Sequence, residues 1–437
     1  MAPRTVLVTG PGGAGRTTVA AATALAATRR GDRTLLLTAD AAAATVLLGA
    51  APGPGAGEPA RVADGLWAAR IDSGEHFRTE LLDLQQRIAP ALDMLGAPRL
   101  RGEELTELPG SDRFALLHAL RVAGSGDWDA LVVDLPPLPE ALAALSLPEE
   151  LRRYLRRLLP PERQAARALR PMMAQLAGVP MPSTWLYESA ARKDTELAAA
   201  QLLIADAGTS VRLVVEPGPA AEEALRTART GLALHGLTAD ALIANKVLPP
   251  AEGHPWLQAA TGRQRKSLDA WHGDPAAWPA VYELPHLGRE PHGRDDLAAL
   301  DVPAPDEEAA ERASRGDGPT GPDAAAGTAG AAGAWAGRGP GVPGTRAADP
   351  WWVEDLRATD GLLVWCLPLP GAVKSELTLV RREHELLLTV GAFRRIVPLS
   401  SALLRCTVSG AALTDGMLRV RFTPDPGLWP KDGTAGA

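Results

Sequence analysis

The chain begins with a short apolar strand that runs into a glycine-rich turn, and this start constrains the fold more than any other segment. Residues 6–18 read Val-Leu-Val-Thr-Gly-Pro-Gly-Gly-Ala-Gly-Arg-Thr-Thr, and an alanine-rich stretch of helical character follows. This is the layout of a phosphate-binding P-loop, in which backbone N–H groups and a helix N-terminus face an anion. The pattern therefore predicts an α/β fold that binds a nucleotide.

The loop glycines would bring the main chain close to a phosphate, because glycine leaves no Cβ between the backbone N–H groups and a ligand. The nucleotide-binding residues predicted in the loop are Gly10, Gly12, Gly13, Ala14, Gly15, Arg16, Thr17 and Thr18. Thr17 would place its hydroxyl on Mg²⁺, and Thr18 would lie near the α-phosphate. The alternative is a glycine-rich strand-to-helix turn that binds no ligand.

The charged positions of the loop depart from the usual pattern. Arg16 stands where P-loops carry a lysine, and Pro11 stands where one large subclass carries a second lysine. An arginine keeps the positive charge, but its planar guanidinium is bulkier than an ammonium group and fits a tight loop less well. The phosphate chemistry of this loop is therefore in question.

Two aspartates that follow apolar strands are candidate magnesium ligands. Asp134 ends the run Ala130–Asp134, which is the position of a Walker-B carboxylate that reaches Mg²⁺ directly or through water. Asp40 follows the run Thr34–Thr38 and could contact Mg²⁺-bound water. With Thr17, these two carboxylates form the predicted Mg²⁺ site, although a strand-ending aspartate can also serve only as a helix cap.

Two more polar residues stand at the end of a later apolar run. Asn245 closes the predicted strand Ala241–Asn245, and Lys246 follows it. An amide side chain at this place can pair with the donor and acceptor edge of adenine. We therefore predict that both residues bind the nucleotide, with ATP and Mg²⁺ as cofactors.

The order of elements predicts an α/β P-loop NTPase fold followed by a small all-β sandwich. Residues 1–300 alternate buried strands with helices, as in a parallel sheet covered on both faces, with a helical insertion at about 139–207. Residues 301–350 are rich in Gly, Pro and Ala and predict a disordered linker; residues 351–426 alternate apolar and polar residues between turns and predict the sandwich, with a tail at 427–437. The strands predicted for the first domain are Thr5–Thr9, Thr34–Thr38, Leu66–Ile71, Ala130–Asp134, Ser210–Val215 and Ala241–Asn245.

Composition excludes several classes of protein. The net charge of −7 gives no electrostatic case for nucleic-acid binding. No run of about 18 apolar residues predicts a membrane segment, and the start of the chain does not resemble a signal peptide. The two cysteines, Cys366 and Cys406, form no zinc or disulfide pattern and are expected to be buried as small apolar residues. A cytoplasmic location is the expectation.

The motifs resemble those of the ArsA-type family, which includes the arsenite-pump ATPase and the eukaryotic ATPase that targets tail-anchored membrane proteins. The family's GKGGxGKT, LLxxTDPAHSLSD, DTAPTGH and NxxxP align with GPGGAGRT, LLLTADAAAATVL, DLPPLPE and the run Asn245–Pro249. The resemblance covers residues 1–300. The tail is similar to the small-heat-shock-like (α-crystallin-type) domain of some actinobacterial-type members, through the segments 367–371 and 415–418, Gly391 and Arg394-Arg395.

The resemblance also identifies residues that the family uses for hydrolysis and this chain lacks. Pro11 replaces the signature lysine that reaches the nucleotide across the family's dimer interface, and Leu47 aligns with the aspartate that positions the attacking water. Ala43 and Glu140 each replace a histidine of the family's motifs. Loss of a positioned acid–base group commonly costs ~10²–10⁴-fold in rate. We therefore expect nucleotide binding with weak, altered or lost hydrolysis.

Arg16 and Asp40 remain as weak catalytic candidates, so whether the chain is an enzyme stays open. One interpretation is an ATP-binding protein with a client-handling or regulatory role. The alternatives are a non-catalytic scaffold that pairs with an active paralogue, and a fully active ATP-driven targeting factor. A ParA/MinD-type positioning ATPase is disfavoured because the basic amphipathic C-terminal helix is missing. The resemblance implies a homodimer, or a heterodimer with a paralogue, and an unknown protein client.

The helical insertion carries leucines and methionines at helical spacing. They are Leu151, Leu155, Leu158, Leu159, Met172, Met173 and Leu176. Core packing is one interpretation, and a groove for an apolar client helix is the other. The arginines of the same stretch, Arg152, Arg153, Arg156 and Arg157, predict a solvated face. The arsenite-binding cysteines are missing, and a soft metalloid needs several thiolates close together, so arsenite export is not expected.

Overall fold

A computed structural model describes residues 3–89, 92–93, 96–159, 184–250, 253–274, 277–305 and 349–429, and of residues 184–186 only the backbone. Several predictions concern residues outside these ranges. They are the second insertion helix with Met172, Met173 and Leu176, most of the predicted linker (306–348) and the end of the tail (430–437).

The first domain is built on an eight-stranded sheet with the order β3-β4-β2-β5-β1-β6-β7-β8. All neighbours pair in parallel except β3 and β4. The strands are β1 (Arg4–Thr9), β2 (Thr34–Thr38), β3 (Ala60–Ala63), β4 (Leu66–Arg70), β5 (Ala130–Asp134), β6 (Thr209–Val215), β7 (Ala239–Val247) and β8 (Val281–Pro285). The predicted α/β fold is thus confirmed, and the two strands that were not predicted, β3 and β8, lie at the two edges.

Helices cover both faces of this sheet, as the buried strand pattern requires. They are α1 (Arg16–Arg29), α2 (Ala41–Leu48), α3 (Ser73–Arg87), α4 (Ser111–Gly124), α5 (Leu138–Leu158), α6 (Thr184–Ile204), α7 (Pro219–His235), α8 (Pro255–His272) and α9 (Gly293–Ala299). The central strand β1 shows the layering, because Val6 and Val8 belong to one core cluster and Leu7 to the other. Both faces of the strand are therefore dry, as in a doubly covered parallel sheet.

The topology brings the predicted motifs together at one edge of the sheet. β1 lies between β5 and β6, and β7 follows β6. Parallel strands present their carboxyl ends at the same edge, and ligands of open α/β sheets bind there. The glycine-rich loop follows β1, Asp134 is the last residue of β5 and Asn245 lies near the end of β7, so the fold itself assembles the candidate site.

The packing of the first domain continues past the predicted domain boundary at residue 300. Val302 is buried in the core cluster on one face of the sheet. The carbonyl of Pro303 accepts a hydrogen bond of 2.7 Å from Arg212, which also forms a buried ion pair of 2.8 Å with Asp240. The first residues that composition assigned to the linker are therefore part of the packed domain.

The second domain is a sandwich of two antiparallel sheets, with the orders β14-β15-β10-β9 and β11-β12-β13. Its elements are β9 (Trp352–Leu356), β10 (Leu362–Pro368), β11 (Leu377–Arg382), β12 (Glu385–Val390), β13 (Phe393–Pro398), α10 (Ser401–Leu404), β14 (Cys406–Thr414) and β15 (Met417–Pro424). The predicted sandwich is confirmed. Both cysteines are buried, and burial raises the pKa of the Cys366 thiol to about 12, which suits an inert packing role.

The sandwich packs directly on helices α5 and α7 of the first domain. A Cβ on Gly231 would lie 2.5 Å from Leu142 and 2.8 Å from the ring of Phe393, so glycine allows the close approach. Arg153 binds Glu385 through two hydrogen bonds of 2.6 and 2.5 Å. Arg395, 9 % exposed, donates to the carbonyl of Leu234 at 2.7 Å. Polar and apolar contacts together fix the sandwich on the first domain.

These contacts correct the prediction for the arginines of α5. Arg152 is mostly buried and forms an ion pair of 2.9 Å with Asp194 of α6, while Arg153 forms the pair with the sandwich. Only part of the predicted solvated face is therefore solvated, and α5 uses its charges to hold its neighbours. Of the leucines on the same helix, Leu151 and Leu155 pack against the core, whereas Leu158 is 74 % exposed.

The histidine at the domain junction, His235, leads us to expect a loss of stability in acid. Burial, helped by the nearby charge of Arg395, lowers the pKa of His235 to about 3. The folded chain therefore keeps this imidazole neutral, while the unfolded chain takes up a proton as pH falls below about 6.5. The contribution of this histidine to the free energy of unfolding is therefore fully present above pH 6.5. The free energy of unfolding should fall by up to about 1.4 kcal/mol per pH unit as pH decreases from about 6.5 to about 3. Urea unfolding across this range should show a smaller acid loss for His235→Gln than for the wild type, and identical pH slopes would contradict the assignment.

Candidate functional site

The glycine-rich loop has the backbone geometry of an anion site. Gly13 and Gly15 adopt the left-handed φ angles of +78° and +92° that glycine tolerates, and α1 starts immediately after the loop. A Cβ built on Gly12 or Gly13 would meet no atom within 4 Å, so the mouth of the loop is open to a ligand. The first loop glycine, Gly10, serves packing instead, because its Cβ would lie 2.0 Å from the carbonyl oxygen of Val214.

A buried carboxylate with two hydroxyl partners lies at the base of the loop. The hydroxyls of Thr17 and Thr38 donate to the same oxygen of Asp134 at 2.8 and 2.9 Å. Asp134 is 8 % exposed, and this burial raises its pKa. Hydroxyl and carboxylate oxygens are ligands that Mg²⁺ prefers, and a cation would offset the cost of burying the charge. The donor set therefore fits the predicted metal.

Asp40, the other predicted metal ligand, has a local structural role. Its Oδ1 accepts a hydrogen bond of 2.9 Å from the backbone N–H of Ala43 and so caps α2. The side chain is exposed, although its charge is close enough to raise the pKa of Asp134. The backbone N–H of Asp40 donates to the hydroxyl of Thr38 at 3.1 Å, so Asp40 contacts the hydrogen bonds of Asp134 through its backbone and not through its carboxylate.

Arg16, the residue in place of the usual lysine, turns away from the middle of the loop. Its Nη1 donates to the carbonyl of Leu135 at 2.7 Å. The guanidinium therefore lies along the end of β5, where its charge counteracts part of the rise in the pKa of Asp134. This places the arginine on the metal side of the candidate site.

Asn245 and Lys246, near the end of β7, contact the loop. The amide nitrogen of Asn245, which is buried, donates to the carbonyl of Ala14 at 2.8 Å, and Nζ of Lys246 donates to the carbonyl of Gly13 at 2.8 Å. Both predicted residues thus lie against the loop. The amide nitrogen of Asn245 is engaged by the protein backbone.

One cavity of about 300 Å³ unites these elements. From the predicted set it is lined by Gly13, Gly15, Arg16, Thr17, Thr18, Asn245 and Lys246. The opposite wall comes from the segment that leads from β8 to α9, for which the sequence predicted no role. Its lining residues are Pro285, His286, Leu287, Arg289, Glu290 and Pro291. A volume of this size is in the range of small-molecule sites. The sequence feature that could have indicated this wall is the run Pro285–Pro291, which carries two prolines close to the predicted end of the first domain.

The position expected to hold the water-positioning aspartate lies in the core. Leu47 is 5 % exposed and packs in the same core cluster as Ala44 and Leu48. It belongs to the buried face of α2, whereas Asp40 begins that helix at the surface. The structure therefore gives this position a packing role and no side chain that could orient water.

Two other features bear on the type of protein. Within the ranges that the structure describes, no cluster of three or more His, Cys, Asp or Glu could hold a metal ion. No helix in those ranges is both long enough and apolar enough to cross a membrane. The candidate Mg²⁺ site therefore depends on a single carboxylate with its hydroxyl partners.

Comparison with known proteins agrees with this architecture. Residues 3–301 match the family described as anion-transporting ATPase, and residues 360–422 match the HSP20-like domain found in ArsA. An uncharacterized protein of Streptomyces coelicolor is 54 % identical over 433 residues, covering 98 % of this chain and 99 % of the relative. A protein of Mycobacterium tuberculosis is 30 % identical over 457 residues, covering 98 % and 97 %.

A more distant relative carries a functional name. A protein of Aquifex aeolicus that is named after the arsenical pump-driving ATPases is 25 % identical over 406 residues, covering 91 % of this chain and 94 % of its own. The match to the ATPase family spans the whole α/β domain, and the second match falls on the sandwich. The chain therefore belongs to the ArsA-type anion-transporting ATPase family and carries the HSP20-like domain found in ArsA proteins.

Proposed function

We propose that this chain binds ATP or ADP with Mg²⁺ and that its hydrolysis of ATP is weak or lost. The observation that carries the proposal is the cavity of about 300 Å³, whose lining includes residues of the open glycine loop and Thr17, the hydrogen-bond partner of Asp134. Three features support binding: a helix N-terminus at the loop, cations at its rim and a buried carboxylate for the metal.

Each part of the site would have a separate task. The backbone N–H groups of the loop would hold the phosphates, since no Cβ blocks Gly12 or Gly13. Thr17 and Asp134 would hold Mg²⁺, which supplies charge neutralisation on the phosphate oxygens. Asp40 would contact metal-bound water. Weak hydrolysis follows because Leu47 is buried where the family's water-positioning aspartate is expected.

We further propose a client-handling or regulatory role in the cytoplasm, as a homodimer or as a heterodimer with a paralogue. The helix α5 supports this role, because it starts four residues after Asp134 and reaches the sandwich through Arg153. A change at the metal site could thus be transmitted along one helix to the second domain. The exposed Leu158 at the end of this helix is compatible with an apolar client.

The metal site gives the first test. Asp134→Asn keeps the shape of the side chain but removes the carboxylate, so Mg²⁺ should tighten ATP binding to the wild type and have little effect on the variant. We expect a difference of about tenfold or more in Kd, the usual result of losing a charge-assisted contact. Titration calorimetry with and without Mg²⁺ measures it, and Asp40→Asn is the control that should change affinity less.

Stability separates this effect from misfolding. Burial disfavours the charged form of Asp134, so the asparagine variant should melt at or above the wild-type temperature. Absence of ATP and ADP binding to the wild type would refute the proposal. A wild-type turnover number typical of active ATPases, about 1 s⁻¹ or more, would instead favour the fully active targeting factor.

A further inference from the structure

The backbone at Lys246 has an uncommon conformation at the edge of the nucleotide cavity. Its φ of +59° is in the left-handed region, which non-glycine residues rarely adopt. The register between β7 and β8 shifts between Ala244 and Val247, so the strand carries an irregularity here. Such irregularities redirect side chains and are frequent next to functional sites.

A buried glutamine holds this turn in place. Gln264 of α8, 7 % exposed, accepts a hydrogen bond of 2.8 Å from the N–H of Leu248 and donates one of 3.1 Å to the carbonyl of Lys246. The amide oxygen and the amide nitrogen of one side chain therefore both bind the backbone at and just after the left-handed residue. The conformation is thus supported by the tertiary structure and not by local preference.

The turn sends the ammonium group of Lys246 onto the glycine loop. Nζ donates to the carbonyl of Gly13 at 2.8 Å and lies 3.7 Å from Glu216, a carboxylate that is 55 % exposed. An ammonium group has three N–H donors, so the bond to Gly13 leaves donors for a ligand in the same cavity. The group lies at the loop mouth, where a Cβ on Gly13 would meet no atom.

The two arginines of the cavity wall are each held by another protein group. The guanidinium of Arg289 forms an ion pair with Asp296, with one hydrogen bond of 2.8 Å and a shorter second one. The guanidinium of Arg16 is bonded to the carbonyl of Leu135 on the metal side. Lys246 is therefore well placed to meet phosphate at the middle of the loop, where Pro11 offers neither a charge nor an N–H.

We propose that Lys246 supplies, from within the same chain, the positive charge that binds the phosphates of a nucleoside di- or triphosphate. This inference rests on the proposed function and gives Lys246 a role towards phosphate instead of adenine. It takes over the charge that Pro11 lacks. One chain then holds the nucleotide phosphates without a lysine from a partner, so affinity is independent of dimerisation.

The test compares ADP with adenosine, using the full-length chain and titration calorimetry. Lys246→Gln should weaken ADP binding about tenfold or more and leave adenosine binding nearly unchanged, because only the phosphate contact is lost. Lys246→Arg, which keeps the charge, should recover most of the ADP affinity. Lys266→Gln removes the same charge from an exposed position of α8 outside the cavity lining and is the matched control.

Each outcome decides between the two proposals. A wild type that binds no ADP refutes the nucleotide site itself, and this inference with it. A wild type that binds ADP while Lys246→Gln binds it equally well, with an unchanged melting temperature, refutes only the role of Lys246. An equal loss for ADP and adenosine would also overturn it, because the lysine would then act on the nucleoside. The ADP affinity of the wild type should be the same at low and high protein concentration, and an affinity that rises with dimerisation would contradict a charge supplied from within the chain.

Discussion

Leu47→Asp is expected to destabilise the chain by about 4 kcal/mol or more and to restore no ATP hydrolysis. Leu47 is 5 % exposed in the core under α2, so the substitution removes apolar packing and buries a carboxylate there. Domains of this kind have only about 5–15 kcal/mol of stability in total. The free energy of unfolding, measured in urea, should fall sharply, and ATP turnover should stay at the wild-type level.

The pH dependence of stability and a conservative variant identify the cause of the stability loss in Leu47→Asp. Protonation neutralises a buried aspartate, so the deficit of Leu47→Asp should shrink as pH falls towards 5. Leu47→Met keeps the volume and should cost less than about 1.5 kcal/mol. A Leu47→Asp protein that melts like the wild type, with faster hydrolysis when combined with Pro11→Lys, would show that this position reaches the nucleotide after all.

Leu47 also shows what a motif alignment leaves out. Matching LLLTADAAAATVL to the family motif put this residue at a catalytic position, yet Ala44, Leu47 and Leu48 form the buried side of α2. The apolar spacing within the helix already contained this information, because residues three and four apart share a face. The motif alignment matched this segment to the family, whereas helical periodicity determines which of its side chains face the core.

The strands divide in the same way. β1, β2, β4, β5, β6 and β7 were predicted because continuous apolar runs are typical of strands buried on both faces. The edge strands β3 and β8 are partly exposed and contain polar residues, so their sequences carry little signal. β8 nevertheless leads into residues 285–291, which form one wall of the cavity.

The direction of the Lys246 side chain could not be predicted from its position in the sequence alone. Its direction depends on a left-handed backbone, a register shift and the side chain of Gln264, which is 18 residues away in sequence. No local propensity favours a lysine in that conformation. By contrast, the Thr17–Asp134 contact was predictable, because Asp134 ends β5 and Thr17 comes after the loop that follows β1, the adjacent parallel strand.

The loop glycines offer a matched pair of substitutions with opposite consequences. Gly10→Ala and Gly12→Ala add the same methyl group two residues apart. At Gly10 the Cβ would lie 2.0 Å from the main-chain oxygen of Val214 on β6. The backbone of a central strand cannot move away from it without a large cost in free energy. We expect a loss of about 3 kcal/mol or more in the free energy of unfolding, at the upper end of overpacking effects.

At Gly12 the same methyl group meets no protein atom within 4 Å, and the backbone does not need a positive φ. Gly12→Ala should therefore unfold within about 0.5 kcal/mol of the wild type, as surface substitutions do. The substitution still adds a methyl group to the glycine loop that should hold the phosphates, so ADP affinity should fall clearly. Urea unfolding and ADP titration of both variants measure the two effects separately. If Gly12→Ala keeps full ADP affinity, the phosphates do not lie against this part of the loop; if Gly10→Ala is as stable as the wild type, the contact between the loop and β6 is looser than the geometry indicates.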